Sequence, residues 1–356
     1  MAKRTNPPPA KRSGAVAGPD RGSLLRDVTD LIRRAREFTA TAVNSALVQL
    51  YWQIGQRIRT EVLKERRAGY GEEICSTLSS ELIGEFGSGF SRPNLTRMIR
   101  FAEVFPNPDI VAALSRTLGW SHFVEIIFLK NDLQRDFYAE MCRVERWSVR
   151  TLRQRIGGML FERTALSRKP AELAKQELAR LRESDQLTPD LVFRDPYLLD
   201  FLGLKDTYSE SDLESAILRE VGQFILEIGT GFAFLARQKR IVIDGKDFYI
   251  DLLFFHRRLR RLVAIGLKLG AFEAADKGQM ELYLRWLEKH EMGPGEESPI
   301  GLFLCEDKGD EQVELLQLDR NGIRVAAYLT DLPPKDVLRK KLKAAASVAR
   351  RRIESG

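Results

Sequence analysis

The hydrophobic positions in the first half of the chain repeat with helical spacing. Tyr51, Ile54 and Ile58 follow one another at three- and four-residue intervals and mark one apolar helix face. Similar patterns cover residues 24–166, where clusters of glycine and proline separate them into about six predicted helices. Residues 167–190 are strongly charged and predict a helical connector. The first half is therefore expected to form an all-helical domain.

The second half has a different pattern, in which apolar runs are shorter. A helix predicted over residues 210–228 precedes three strand-like runs, FAFLARQKRIVI, DFYIDLLFFH and RLVAIGLKLG. A further helix, DKGQMELYLRWLEKH, and another apolar run, IGLFLC, come next. The order helix, three strands, helix, strand predicts a mixed α/β domain over residues 191–334.

Positive charge is concentrated at the two ends of the chain. The 356 residues include 57 Lys and Arg against 50 Asp and Glu, which gives a net charge of +7. Residues 1–22 contribute +4 and residues 335–356 contribute +6, so the body carries −3. We expect residues 1–23 to be a disordered basic tail and residues 335–356 to be a basic tail of helix-forming composition. Such tails either bind phosphates in a salt-dependent way or only aid solubility.

The composition also indicates the compartment. Cys75, Cys142 and Cys305 are odd in number and far apart, which argues against a disulfide framework. No run of about 18 apolar residues is present to span a membrane. The N-terminal segment MAKRTNPPPAKRSG lacks the apolar stretch of a signal peptide. We therefore expect a soluble cytoplasmic protein.

One segment of the helical half resembles a helix-turn-helix. In EEICSTLSSELIGEF–GSG–FSRPNLTRMIRFAEVF, a short glycine turn joins two predicted helices. The second helix places polar side chains on the side away from its apolar stripe: Arg92, Asn94, Arg97 and Arg100. These residue types suit contacts to phosphates or to a DNA groove. An αα-hairpin used for packing or dimerisation fits the spacing almost as well.

The strongest chemical signal is a pair of charged residues within two apolar strands. Asp251 interrupts the run FYIDLLFFH, and Lys268 interrupts LVAIGLKLG. A lone acid among apolar residues needs a cation or hydrogen-bond donors. The pair is either a buried structural ion pair or part of a metal-assisted phosphodiester site. The second alternative requires another carboxylate two residues before the lysine.

In their order these residues resemble the PD-(D/E)xK nucleases of the restriction-endonuclease-like fold. The segments DLESAILRE, DFYIDLLFFHRRLRRLVAIGLKLG, KGQMELYL and SPIGLFLC are similar to the YhcG-like branch of that family. The helical half, with LVQLYWQIGQRI and GWSHFVEI, is similar to the domain that precedes the nuclease domain there. The resemblance covers about residues 24–335 and implies a metal-dependent nuclease, with Mg²⁺ or Mn²⁺ as cofactor and DNA as partner.

The resemblance also implies roles for single residues. Asp251 takes the position of the metal-binding aspartate, Lys268 that of the catalytic lysine, and Gln279 that of a glutamine often found near the site. Glu214 or Glu220 on the preceding helix contributes to the metal environment, and Glu214 is preferred. The basic hairpin HRRLRR adds two candidates for phosphate contacts, Arg257 and Arg258.

The chain departs from the family pattern at Gly266, where a Glu or Asp is expected. Loss of one metal-binding carboxylate predicts a rate lower by roughly two to four orders of magnitude. A carboxylate elsewhere, such as Glu273, Asp276 or the acid on the first helix, is the candidate replacement. Three functions therefore remain: a nuclease in defence or mobile elements, a non-catalytic DNA-binding protein on the same fold, and a structural oligomerisation protein.

Overall fold

In the computed structural model, residues 21–64, 70–204, 208–229 and 231–355 are described, so most of the predicted N-terminal tail lies outside the described residues. These described residues form two compact units, which are divided between Trp120 and Ser121.

The first unit is helical, as the sequence predicts. Its core lies between the helices α1 (Arg21–Lys64) and α3 (Arg92–Val104) and includes Ile58, Leu95 and Met98. Gly55 lets the two helices approach closely, because a Cβ at this position would lie 1.9 Å from the carbonyl oxygen of Met98. Its helices are α1 (Arg21–Lys64), α2 (Tyr70–Phe86), α3 (Arg92–Val104) and α4 (Pro108–Ser115), with α5 (Trp120–Ile126) beginning at the division.

The second unit starts earlier than the predicted boundary at residue 166. Its first helices pack against the predicted connector, because Glu140, which is fully buried, accepts bonds from Arg143 and Arg182. These ion pairs join the helices to the unit that contains the sheet. The helices before the sheet are α6 (Asp132–Glu145), α7 (Val149–Gly157), α8 (Leu160–Arg163), α9 (Ala171–Ser184) and α10 (Pro189–Val192).

A six-stranded mixed sheet forms the centre of the second unit. Its strands are β1 (Tyr197–Leu198), β2 (Phe232–Ile243), β3 (Lys246–His256), β4 (Arg261–Ala271), β5 (Ile300–Asp307) and β6 (Ile323–Leu329), in the order β1-β6-β5-β4-β3-β2. The pairs β2/β3 and β3/β4 are antiparallel, and the others are parallel. The predicted order of helix, three strands, helix and strand is confirmed; β1 and β6 are additions to it.

Helices cover the sheet and position the site. The predicted helix 210–228 consists of α11 (Glu210–Arg219) and α12 (Val221–Ile228). The helix α13 (Ala274–His290) packs Met280 and Tyr283 into the core that contains Phe303. After α14 (Asp310–Leu315), the basic C-terminal segment forms α15 (Lys335–Ser355), whose Leu338 and Leu342 are buried against Met159. Within the described residues, none of the helices has the length and apolar character needed to cross a membrane.

Candidate active site

Four residues lie side by side across neighbouring strands of the sheet. The β4/β5 register pairs Gly266 with Phe303. The β3/β4 pairing ends at Leu252–Ile265, so Asp251 and Gly266 are the next residues on either strand, and in β2 Gln238 lies between the residues paired with Leu252 and Ile250. Directly opposed residues of neighbouring strands project to the same face of a sheet. Gly266 and Phe303 therefore share one face, which Met280 of α13 covers.

Beyond Ile265, β4 separates from β3, and carboxylates replace the missing strand partner. The paired register ends at Leu252–Ile265. The backbone N–H of Leu267 then donates to Oδ2 of Asp251 at 2.9 Å, and the N–H of Leu269 donates to Glu210 of α11 at 3.1 Å. The separation of the two strands thus opens the region in which Asp251 lies.

Asp251 lies in an environment that disfavours its charge. Burial raises the pKa of Asp251 above its ordinary value of 3.8. The bonds from Leu267 and Gln238 lower this pKa, while the nearby carboxylate of Glu214 raises it further. An acid with a raised pKa beside a second acid is typical of a functional site.

Glu214 is the acid of the preceding helix that meets Asp251. Its side chain is buried on α11, and its Oε2 accepts a hydrogen bond from the amide nitrogen of Gln238 at 2.5 Å. The same nitrogen donates to Oδ1 of Asp251 at 3.2 Å. Glu220, the other sequence candidate, lies at the junction of α11 and α12. The geometry therefore favours Glu214 over Glu220.

Lys268 forms its ion pair with Asp276 rather than with Asp251. The distance from Nζ to Oδ1 of Asp276 is 2.8 Å, and this partner raises the pKa of Lys268. Oδ2 of Asp276 accepts the backbone N–H of Glu273, and the Glu273 side chain completes a capping box at the start of α13. A direct Asp251–Lys268 ion pair, one of the two alternatives for these residues, is therefore wrong. Both loop acids are engaged in helix capping.

The position of Gly266 is filled by an aromatic ring. A Cβ at residue 266 would lie 2.6 Å from Cε1 and 2.8 Å from Cδ1 of Phe303. Phe303 is 4% exposed, and its ring lies 5.3 Å from that of Phe272. The ring is held in the core, so a side chain at 266 would displace it.

Gln279 lies one turn before Tyr283 on α13 and donates to its hydroxyl at 2.5 Å. Burial raises the pKa of Tyr283, and the charge of Asp251 adds to this effect. Tyr283 was not among the candidates found in the sequence, although the four-residue spacing from Gln279 places both on one helix face.

Two family profiles match successive parts of the chain. The profile described as "DUF1016 N-terminal domain" matches residues 27–163, and that described as "YhcG PDDEXK nuclease domain" matches residues 190–343. The protein named "Putative nuclease YhcG" of Escherichia coli (strain K12) is 35% identical over 347 residues, with 88% of this chain and 92% of that protein covered. This chain belongs to the YhcG family of PDDEXK nucleases.

The family membership confirms the resemblance found in the sequence and the restriction-endonuclease-like fold. Among solved structures, a repair endonuclease from Pyrococcus abyssi is similar over 36% of this chain and 50% of its own, with 21% identity and a TM-score of 0.26.

PDDEXK nucleases generally use a divalent metal ion, and the residues present do not fit a complete site for one. Asp251 and Glu214 converge, but the third position is Gly266, and the ring of Phe303 occupies its space. Across the described ranges, three or more His, Cys, Asp or Glu side chains do not come together in a way that could hold a metal ion. Mg²⁺ prefers carboxylates and waters in octahedral geometry, which two carboxylates joined by an amide do not offer.

The predicted phosphate-contacting residues have local partners. Arg97 donates to Asn94 at 2.8 Å, and Arg100 pairs with Glu103 at 2.8 Å, so α3 holds much of its polar side by bonds within the helix. Arg92, at the start of α3, is exposed.

The β3–β4 hairpin divides its two arginines between two roles. Arg258 donates to the carbonyl of Val144 at 2.5 Å, which joins the hairpin to α6. Arg257 is exposed. The geometry therefore favours a structural role for Arg258 and leaves Arg257 available for phosphate contacts.

Proposed function

We propose that this protein binds DNA as a member of the YhcG family and that its phosphodiester cleavage is strongly impaired. The observation that carries this proposal is the ring of Phe303 in the space next to Gly266. A carboxylate lost by substitution alone would leave a gap. Here the gap is filled by core packing, so the sheet is stable without the acid.

The rest of the site supports weak catalysis in the same way. Asp251 and Glu214 are joined through Gln238, and Lys268 is held by Asp276. A bound divalent ion supplies Lewis-acid stabilisation worth several kcal/mol, so an incomplete ligand set lowers the rate by roughly two to four orders of magnitude. An active nuclease that uses Asp251 and Glu214 alone is the competing function, because these two carboxylates do meet.

DNA binding is supported by the distribution of charge. The exposed side of α15 carries Arg339, Lys340, Lys341 and Lys343, while Leu338 and Leu342 attach the helix to the second unit. A basic face held on a folded domain can neutralise several phosphates at once. The cysteines Cys75, Cys142 and Cys305 are free and buried, which suits a reducing compartment such as the cytoplasm.

A supercoiled-plasmid nicking assay with Mg²⁺ and with Mn²⁺ tests the proposal. The proteins compared are the wild type, Asp251→Ala, Gly266→Glu and the double variant Gly266→Glu/Phe303→Val. We expect nicking from the double variant and little or none from the first three. Nicking by the wild type that Asp251→Ala abolishes would establish the competing function. Fluorescence anisotropy with labelled duplex DNA measures binding; we expect an affinity that falls as salt rises, and no binding at low salt would contradict the DNA-binding part.

A further inference from the structure

A single amide group holds the two acids of the site together. The side-chain nitrogen of Gln238 lies 2.5 Å from Oε2 of Glu214 and 3.2 Å from Oδ1 of Asp251. A primary amide has two N–H donors, and here each is directed at a carboxylate. If the amide oxygen rather than the nitrogen faced the two carboxylates, three acceptors would meet without a donor. The orientation with the nitrogen toward the carboxylates is therefore the favourable one.

The Gln238 amide contacts both acids at once. Two carboxylates that approach each other in a partly buried region repel unless a positive or donor group lies between them. The Gln238 amide provides that group without a charge. Arg237, the preceding residue, adds an ion pair to Oε1 of Glu214 at 3.0 Å.

The backbone of Gln238 adopts an unfavourable conformation that places its amide next to Glu214 and Asp251. Gln238 has φ +42, within the left-handed region that non-glycine residues rarely adopt, and a register shift between Phe234 and Ala236 precedes it in β2. Such a conformation costs of order 1–3 kcal/mol and persists where the surrounding structure holds it in place. In this conformation the side chain of Gln238 donates hydrogen bonds to Glu214 and Asp251.

We infer that the amide of Gln238 is a built-in substitute for the divalent ion and competes with it for Glu214 and Asp251. The inference rests on the proposed function, in which the complete metal site has been lost. It assigns the weakness of the site to two residues, Gly266 and Gln238, on either side of Asp251. A carboxylate at 238 would bring three acids together and would make the site depend on a cation.

Binding of Mn²⁺ to the full-length protein, measured by isothermal titration calorimetry, tests this inference without DNA. We expect Gln238→Glu to bind Mn²⁺ roughly 10- to 100-fold more tightly than the wild type, the range over which changes around a metal alter its affinity. Adding Asp251→Ala to that variant should remove the gain. Melting temperatures give a second readout, since Gln238→Glu should melt lower than the wild type in EDTA and recover in Mn²⁺.

Two further variants separate the effect of removing the Gln238 amide from the general effect of adding a negative charge. Gln238→Ala removes the amide without adding charge and should bind Mn²⁺ more tightly than the wild type, though less than Gln238→Glu. Gln134→Glu is the matched control, because the Gln134 amide donates to a single carboxylate, Glu162, at 3.0 Å. The control should leave Mn²⁺ affinity unchanged.

Equal Mn²⁺ affinity of the wild type, Gln238→Ala and Gln238→Glu would overturn the inference, as would the same gain in Gln134→Glu. A failure of DNA binding or nicking by the wild type would contradict the proposed function. These two results are measured separately from the Mn²⁺ titration, so a failure of the proposed function can be told apart from a failure of this inference.

Discussion

The ring of Phe303 lies too close to Gly266 to leave room for a side chain at that position. The two residues are paired across β4 and β5, and Cε1 of the ring comes within 2.6 Å of the position that a Cβ of residue 266 would take. The glycine and the aromatic residue therefore form one packing unit, and a change at either position is felt by the other.

The first prediction concerns the stability of Gly266→Glu. The added side chain must displace a buried ring, and overpacking of this kind typically costs about 1–3 kcal/mol. Denaturant unfolding should show this loss, and Phe303→Val should suppress it when the two are combined. Gly270→Glu on the same strand is the control, since a Cβ there meets nothing within 4 Å. Additive effects of the two substitutions would contradict the coupling.

The second prediction concerns the Lys268–Asp276 pair. Asp276 raises the pKa of Lys268, so Asp276→Ala should lower it and increase the fraction of neutral amine. Labelling of Lys268 with an amine-reactive reagent at mildly alkaline pH should therefore accelerate, as measured by mass spectrometry. Lys277, which pairs with Glu281 at 3.6 Å, is the internal reference and should label at an unchanged rate. An unchanged rate at Lys268 would show that Asp276 does not control its charge.

The third prediction concerns acid stability. Burial would raise the pKa of Asp195, but Lys308 and Arg168 together bring it below its ordinary value of 3.8. A carboxylate with a depressed pKa contributes stability above its unfolded pKa and loses it as the pH falls through the folded value. Unfolding free energy should therefore fall below about pH 4.

Asp195→Asn tests the assignment. It should cost about 3–5 kcal/mol near neutral pH, because Lys308 loses its buried counter-charge, and it should flatten the acid dependence. The exposed Asp331→Asn should change neither. If Asp195→Asn kept the wild-type dependence of unfolding free energy on pH, the loss of stability in acid would have to come from other groups.

The fourth prediction concerns the basic face of α15. Replacing Lys340, Lys341 and Lys343 with Gln should weaken DNA binding for all sequences alike and reduce the salt slope by about 0.9 for each phosphate that is no longer neutralised. Anisotropy titrations at several salt concentrations measure this slope. Lys175→Gln with Arg180→Gln removes exposed charge from α9 and should leave the slope unchanged. Equal slopes in wild type and the α15 variant would exclude this helix from the interface.

The succession of helices and strands could be predicted because it depends on local patterns, whereas the choice of Glu214 over Glu220 came only with the family resemblance, since helical spacing does not separate them. Alternation identifies strands β2 to β5, and a lone acid in an apolar run stands out in any single sequence. Phe303 is different, since its role depends on which strands are neighbours and in which register, and this is set by the whole sheet.

Gln238 was missed for a related reason. In the run RQKRIVI it looks like one more polar residue on an exposed strand, and only the register shift in β2 turns its amide toward two acids. The predicted boundary at residue 166 follows local composition and lies close to the end of the N-terminal family profile at residue 163, while the packing of the helices after Trp120 includes ion pairs between distant residues such as Glu140–Arg182.

The packing of Phe303 against Gly266 also affects how this protein can evolve. A single substitution that returned an acid to position 266 would clash with a buried ring and lower the stability of the fold before it could restore any activity. A smaller residue at 303 would have to come first, and by itself it would only loosen the core. The loss of the acid at position 266 is therefore difficult to reverse by a single substitution, because the reverse substitution alone lowers the stability of the fold.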